Sequence, residues 1–297
     1  MQTLTPEAQA IVAAHPTLAL PIVGAPTLNY SRDDAVYRHA KQACLALGFI
    51  EIDAECVALA WLAQVQRTGH FDAKTWPDEP ADFGLRPWPR SDAFPSCPKA
   101  LGLYAVLPDA RWVGRMARAG VPTVQLRFKS DDAAAVRREV QAAVEAVRGT
   151  QALLFINDHW REAIAAGAYG VHLGQEDMEI ADFSAIRAAG LRLGLSSHGY
   201  DEMVRADQLS PSYIAMGAVY PTTLKRMATA AQGPGRLGAY ARLMRDYPGV
   251  AIGGISAAEL PEIKATGVGS LAVVRAITAE ANPEQAAASF MARWAAY

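Results

Sequence analysis

Cysteine is scarce. Cys44, Cys56 and Cys97 are odd in number and too widely spaced for a disulfide framework, a zinc site or a redox pair. They read as buried or incidental thiols of a reducing compartment. Net charge is nearly absent too, since 28 Lys and Arg stand against 30 Asp and Glu. That balance supplies no field for nucleic acid or an anionic membrane surface, so any anion must be held by a local site. No apolar run approaches the roughly 20 residues of a membrane span. The start, Met-Gln-Thr-Leu-Thr-Pro-Glu, has no basic segment leading into an apolar one. A cytoplasmic protein with no nucleic-acid or membrane partner is expected, and homo-oligomerisation is left open. Apolar residues, by contrast, make up 51% of the 297. That is ample for one barrel of ordinary size plus something extra.

Residues 1–73 read as a small all-α module. Thr5-Pro6-Glu7 starts a helix with Pro at the first helical position, followed by an Ala-rich run to His15. Pro16 to Pro26 is a proline-punctuated connection. Ser31 is the expected cap of a second run to Leu47, which Gly48 ends. Asp53 is the expected start of a third, with Val57, Leu59, Ala60, Trp61 and Leu62 clustered before Gly69. His39 and Cys44 are read as a surface and a core residue. No glycine-rich nucleotide segment occurs in residues 1–98, so kinase activity is not expected there and a packing or interface role is. Residues 74–98 contain Trp76, Pro77, Pro80, Pro87, Trp88, Pro89, Pro95 and Pro98. Such density predicts an extended linker lying against a surface.

From residue 99 the rhythm is regular. Apolar β-type runs fall at 101–107, 122–128, 152–157, 170–173, 192–196, 213–217, 249–254 and 270–274, and helical stretches follow nearly all of them. Eight βα units over 99–297 predict a TIM (β/α)8 barrel near its minimum size. A doubly wound open sheet would want a glycine-rich turn after its first strand, and Leu107-Pro108-Asp109 offers none.

Functional groups of such a barrel gather at the C-terminal ends of its strands. The third run ends in Asn157-Asp158 and the fourth in Gln175 and Asp177. Two carboxylates at neighbouring strand ends are costly to hold together without a cation, and Mg²⁺ shared with a substrate phosphate is the usual resolution. The plainer reading is a helix cap at Asp158 and a solvated loop at Asp177. The second run ends in Gln125-Leu126-Arg127-Phe128-Lys129, and alternation places Gln125, Arg127 and Lys129 on one side. They face an anion or pair with a neighbour such as Asp158. The fifth run ends in Ser196-Ser197-His198, where no acid is positioned for a Ser/His triad. The sixth leads through Thr222 to Lys225, and 226–235 reads as a mobile active-site loop. Gly253 and Gly254 after the seventh run, with Val274 and Arg275 after the eighth, form a second phosphate station. Many cations and few general bases point to displacement of a diphosphate helped mainly by charge stabilisation.

Gln-Leu-Arg-Phe-Lys (125–129), Phe-Ile-Asn-Asp-His-Trp (155–160), Gly-Val-His-Leu-Gly-Gln-Glu-Asp (170–177), Gly-Leu-Ser-Ser-His (194–198), Pro-Thr-Thr-Leu-Lys (221–225) and Val-Ala-Ile-Gly-Gly-Ile (250–255) occur in one order over two thirds of the chain. On these stretches residues 100–297 closely resemble the thiamine-phosphate synthase family. The resemblance implies a transferase joining 4-amino-2-methyl-5-hydroxymethylpyrimidine diphosphate to thiazole phosphate, with thiamine phosphate and pyrophosphate as products. It implies a dissociative mechanism and Mg²⁺ at Asp158 and Asp177. Arg127, Lys129, Asn157, Ser196 and Lys225 would bind the diphosphate, with Lys129, Lys225 and Ser196 as the catalytic groups. Gln125 would help seat the pyrimidine. Thr222 would contact the thiazole phosphate, together with backbone around Gly253, Gly254, Val274 and Arg275.

Two residues depart from the family pattern: Leu224 where Thr is usual and Arg275 where Ser is usual. A lost hydroxyl on a phosphate costs ~1.5–3 kcal/mol of binding, whereas Arg275 either supplies its own phosphate contact or crowds the thiazole site. The alternatives are a thiazole tautomerase on the same barrel and a non-catalytic thiamine-phosphate-binding protein. A tautomerase would be indifferent to loss of Asp158. A binding protein would release no pyrophosphate.

Overall fold

A computed structural model describes residues 4–22, 28–223 and 229–297 of the chain. Eight parallel strands close into a barrel in sequential order: β1 (Gly102–Leu107), β2 (Thr123–Leu126), β3 (Leu153–Asn157), β4 (Gly170–Leu173), β5 (Arg192–Ser197), β6 (Tyr213–Gly217), β7 (Gly249–Ile252) and β8 (Ser270–Val273). Pairing of β1 with β8, Gly102 opposite Ser270 to Ala105 opposite Val273, closes the ring. Each strand coincides with an expected run, because strands covered on both faces are apolar throughout and stop where polar residues begin.

Alternation splits the apolar residues into two cores. Leu101, Tyr104, Phe155, Tyr213, Ala215 and Val250 fill the barrel interior. Gly194 makes room for one of these rings, since a Cβ there would lie 2.1 Å from Tyr213 Cζ. Leu103, Ala105, Val124, Ile156, Val171 and Leu195 belong to the outer core beneath the helices.

The helices around the barrel are α4 (Ala110–Arg118), α5 (Ala133–Ala146), α6 (Trp160–Ala166), α7 (Phe183–Ala188), α8 (Tyr200–Gln208), α9 (Gly233–Leu243), α10 (Leu260–Ala265), α11 (Arg275–Thr278) and α12 (Pro283–Ala296). Asp109, Asp132, Asp182 and Asn282 cap α4, α5, α7 and α12 through their own side chains. Gly199, at the same position before α8, has none to offer. None of the described helices is long and apolar enough to cross a membrane.

Ahead of the barrel stand α1 (Pro6–Ala14), α2 (Ala35–Ala46) and α3 (Glu51–Thr68), in a chain whose first 73 residues read as helical. Thr5 caps α1 as expected. The cap of α2 is Asp34, whose carboxylate accepts from Tyr37 N, and not Ser31, whose hydroxyl is turned to Glu55 instead. Helix α3 begins at Glu51, two residues ahead of the expected start, so Asp53 lies in its first turn, 4% exposed. Lys41, 1% exposed, ties α2 to α3 by donating to Glu51 at 2.6 Å and Glu55 at 2.5 Å.

Residues 74–98 carry one 3₁₀ turn, Pro80–Phe83, and are otherwise irregular. They are pinned to the barrel's outside. Trp76 Nε1 donates to Tyr200 OH at 2.9 Å, and Arg90 pairs with the buried Asp207 at 2.6 Å. Trp88, 38% exposed, packs edge-on against Tyr247.

Candidate active site

The C-terminal mouth of the barrel opens into a cavity of about 760 Å³. Gln125, Arg127, Lys129, Asn157, Asp158, Asp177, Ser196 and Thr222 all line it, as do Gly253, Gly254, Val274 and Arg275. The structure therefore brings together every described residue assigned above to the metal or the substrates. Lys225 and Leu224 lie outside the described residues, as does 226–228 of the expected mobile loop. Gly233 to Gly235, assigned above to that loop, are instead the first turn of α9, where Pro234 has the φ a helix start needs.

Register explains the first wall. Arg127 N donates to Leu107 O at 2.8 Å, which carries the β-ladder past Leu126 and turns Arg127 and Lys129 into the mouth with Gln125. On the next strand Asn157 is 9% exposed, and Asp158 follows at φ 65°, an uncommon backbone region outside glycine. Asp158 N donates to His172 O at 3.0 Å, which fixes this turn against β4. Asp158 Oδ2 accepts from Lys129 Nζ at 2.5 Å, so the strand-neighbour ion pair forms. Its ends are 58% and 26% exposed, and solvent leaves such a pair weak enough to exchange for a ligand. Helix α6 is preceded by His159 and has no side-chain cap, so Asp158 is not a helix cap.

Asp177 sits opposite, in a 3₁₀ turn over Asp177–Glu179, and its Oδ2 accepts from Gly174 N at 2.9 Å. Burial pushes its carboxyl above the usual range, and the neighbouring Asp158 carboxylate adds to the shift. Two hard oxygen donors within reach of each other, with a lysine between the sheet and solvent, suit Mg²⁺. Among the described residues no cluster of three metal-ligating side chains occurs. That set fits an ion completed by substrate phosphate and water rather than one held in a protein cage.

Behind these charges runs a hydrogen-bonded chain that the strand-end reading missed. Gln125 Nε2 donates to Tyr104 OH at 3.0 Å, and Tyr104 OH and Tyr213 OH share a bond of 2.9 Å. Tyr213 OH meets His172 Nδ1 at 2.7 Å, and His172 Nε2 meets Ser196 Oγ at 2.9 Å. Burial holds both tyrosines in the protonated form. The chain crosses the pocket floor from Gln125 to Ser196 and orients both. Its sequence signal is period two: Tyr104, His172 and Tyr213 are the inward members of β1, β4 and β6. Ser196 thus engages a histidine, yet Tyr213 rather than an acid backs that ring.

Across the mouth Gly253 and Gly254 hold φ of 92° and 68°. A Cβ at Gly254 would lie 2.6 Å from Pro221 O, so the backbone of the β6–α9 segment closes directly on this turn. Arg275, exposed at the start of α11, lines the same side.

Residues 103–277 match the family model described as thiamine monophosphate synthase. The chain is 54% identical to a thiamine-phosphate synthase of Neisseria meningitidis serogroup B over 201 residues, which is 68% of this chain and 98% of that protein. It is 50% identical over 198 residues to the thiamine-phosphate synthase of Yersinia pestis (strain Pestoides F), covering 67% of this chain and 92% of that one. Among solved structures, thiamine phosphate pyrophosphorylase from Pyrococcus furiosus is similar with a TM-score of 0.57 and 25% identity, over 65% of this chain and 96% of that one.

Proposed function

This chain belongs to the thiamine monophosphate synthase family, and from that premise we infer how its pocket works. The reaction is a transfer: 4-amino-2-methyl-5-hydroxymethylpyrimidine diphosphate and thiazole phosphate give thiamine phosphate and pyrophosphate. The bond between the pyrimidine methylene carbon and the diphosphate oxygen breaks, and the departing oxygen keeps the electron pair. The thiazole nitrogen then supplies the pair that forms the new carbon–nitrogen bond. No proton changes hands, which suits a pocket whose cations act by stabilising charge.

Arg127, Lys129, Asn157 and Ser196 bind the diphosphate, with Lys225 assigned the same role from the sequence. Asp158 and Asp177 would hold Mg²⁺, and the bound ion would neutralise charge on the leaving pyrophosphate. Lys129 leaves its pairing with Asp158 to donate to a phosphoryl oxygen, so its charge is already in place when the leaving group arrives. Gln125, fixed by Tyr104, seats the pyrimidine. Its amino group stabilises the methylene cation formed between the two steps, making the displacement dissociative. Thr222 and the backbone around Gly253, Gly254, Val274 and Arg275 take the thiazole phosphate. The guanidinium of Arg275 provides a phosphate contact where relatives offer a hydroxyl. A cytoplasmic location is part of the same reading.

The observation that carries it is the two-sided pocket, with Arg127, Lys129, Asp158 and Asp177 on one wall and a glycine turn of positive φ on the other. The test is pyrophosphate release from the two substrates, with and without Mg²⁺. Wild type should release it only with Mg²⁺, and Asp158→Ala should lower kcat/KM by about 10²-fold or more, the scale of losing one electrostatic stabiliser. Release by wild type without a divalent ion, or an unaffected Asp158→Ala enzyme, would contradict the reading.

A further inference from the structure

Helix α8 follows β5, whose C-terminal end carries Ser196, and residues 1–98 grip the helix at both ends. At its start Gly199 has no capping side chain, and Asp53 of α3 takes that place. Asp53 Oδ1 accepts from Asp201 N at 3.0 Å. The carboxylate fills the very space a side chain at position 199 would need, since a Cβ on Gly199 would lie 2.1 Å from Asp53 Oδ2. At the other end Arg86 and Arg90 donate to carbonyls of the last turn: Arg90 to Asp207 O at 2.9 Å and Arg86 to Gln208 O at 3.0 Å. A carboxylate at the N-terminus and guanidinium groups at the C-terminus both complement the helix dipole.

From the capped end a path of polar contacts leads into the pocket. Asp201 Oδ2 pairs with Arg205 Nε at 3.2 Å, and Arg205 Nη2 donates to Gln175 Oε1 at 2.9 Å. Gln175 Nε2 then donates to Ser196 O at 2.6 Å. His198, two residues past Ser196, is held by Glu202 of the first turn of α8 through both its backbone N and its Nδ1. The β5 ladder and His172 hold Ser196 from the barrel side, and the segment from Ser196 to His198 is tied from the other side to the first turn of α8, which Asp53 fastens.

We propose that Asp53 is a positioning residue of the synthase: by capping α8 from outside the barrel it holds the end of β5, from Ser196 to His198, in the conformation that binds the diphosphate. This rests on the assignment of Ser196 to the diphosphate station. When a binding segment is competent for only part of the time, apparent affinity falls by that fraction. Losing a capping acceptor should raise the KM for the pyrimidine diphosphate about fivefold. The thiazole phosphate binds across the mouth and should keep its KM, and kcat should stay within about twofold because Asp53 touches no reacting atom. Asparagine retains the acceptor oxygen and should restore the wild-type KM.

The test compares full-length wild type, Asp53→Ala, Asp53→Asn and Arg205→Met, each checked for folding by circular dichroism. KM is measured for each substrate, and Kd for inorganic pyrophosphate with Mg²⁺ by calorimetry. A selective rise in the pyrimidine diphosphate KM and the pyrophosphate Kd in Asp53→Ala, rescued in Asp53→Asn, supports the proposal. If Asp53→Ala does not fold, Arg205→Met carries the test, because it cuts the same path at an exposed residue and should show the same selective rise. Unchanged constants, or equal changes for both substrates, overturn it. Absence of pyrophosphate release by wild type would refute the proposed function instead, and the pyrophosphate Kd would still decide the role of Asp53.

Discussion

Arg236 is 3% exposed in α9, and its guanidinium spans the seam between the N-terminal helices and the barrel. Its Nε donates to Leu18 O and its Nη2 to Leu47 O, both at 2.9 Å, and its Nη1 to Gln232 Oε1 at 3.1 Å. The group lies 3.6 Å from the Phe49 ring centroid. Replacing it with methionine keeps the stem and removes all three donors. Leu47 O and Gln232 Oε1 each keep a second donor, Leu20 N and Tyr240 OH, so the loss concentrates on Leu18 O. One stranded buried carbonyl costs about 1–3 kcal/mol. Losing the charged bonds to the other two acceptors adds to this. Against it stands relief from burying a charge, a cost visible in the way burial lowers the pKa of Arg236. The net expectation is a loss of about 2–3 kcal/mol. Lysine should do no better than methionine, because an ammonium cannot reach three acceptors in this fan and is harder to dehydrate. Urea unfolding followed by tryptophan fluorescence and far-UV circular dichroism reads the loss directly. A change below about 0.5 kcal/mol, the range of an ordinary surface substitution, would refute the view that this guanidinium fastens the two parts of the chain.

Burial pushes the Asp53 carboxyl up to about 6; the Asp201 N–H it accepts from and Arg236 oppose the shift, and the Glu202 and Asp201 carboxylates add to it. A carboxyl raised in the folded state costs stability as pH climbs through that value, since the native chain then holds a proton that the unfolded chain has already lost. Asparagine has no such cost, so the stability of Asp53→Asn relative to wild type should grow by up to about 3 kcal/mol between pH 4 and pH 7. A difference that stays flat with pH would contradict this. Gly254→Ala would place a methyl group against Pro221 O at a φ of 68°. It should cost about 1–3 kcal/mol of stability and raise the KM for thiazole phosphate more than that for the diphosphate. Equal effects on both would remove the glycine turn from the thiazole phosphate station.

The barrel was legible because its signal is local and repeated. Each strand is an apolar run ending where polar residues reach the mouth, and Arg127, Asp158, Asp177, Ser196 and Gly253 all stand at such ends. What escaped was decided at a distance or among close competitors. Tyr104 and Tyr213 look like bulk in strands that are apolar on both faces, and only closure of the barrel sets their hydroxyls 2.9 Å apart. Ser31 and Asp34 are both good caps, and the choice fell to Asp34 because Glu55, on another helix, engages Ser31. Asp53 carries no local hint of its role, since the amide it accepts from is 148 residues away.

The missing side chain at Gly199 bears on how this chain could be divided. A barrel cut free of its first hundred residues would begin α8 with bare amides, and Arg236 would face solvent without the carbonyls of Leu18 and Leu47. The two parts are therefore not interchangeable modules, and grafting these helices onto a barrel with a side chain at this position would set that side chain where Asp53 must lie. Conversely, excision becomes feasible only with repair: an aspartate or serine installed at 199 would let the shortened barrel finish its own helix. Position 199 is thus one place, with Arg236, where dependence on the extension is written into the barrel.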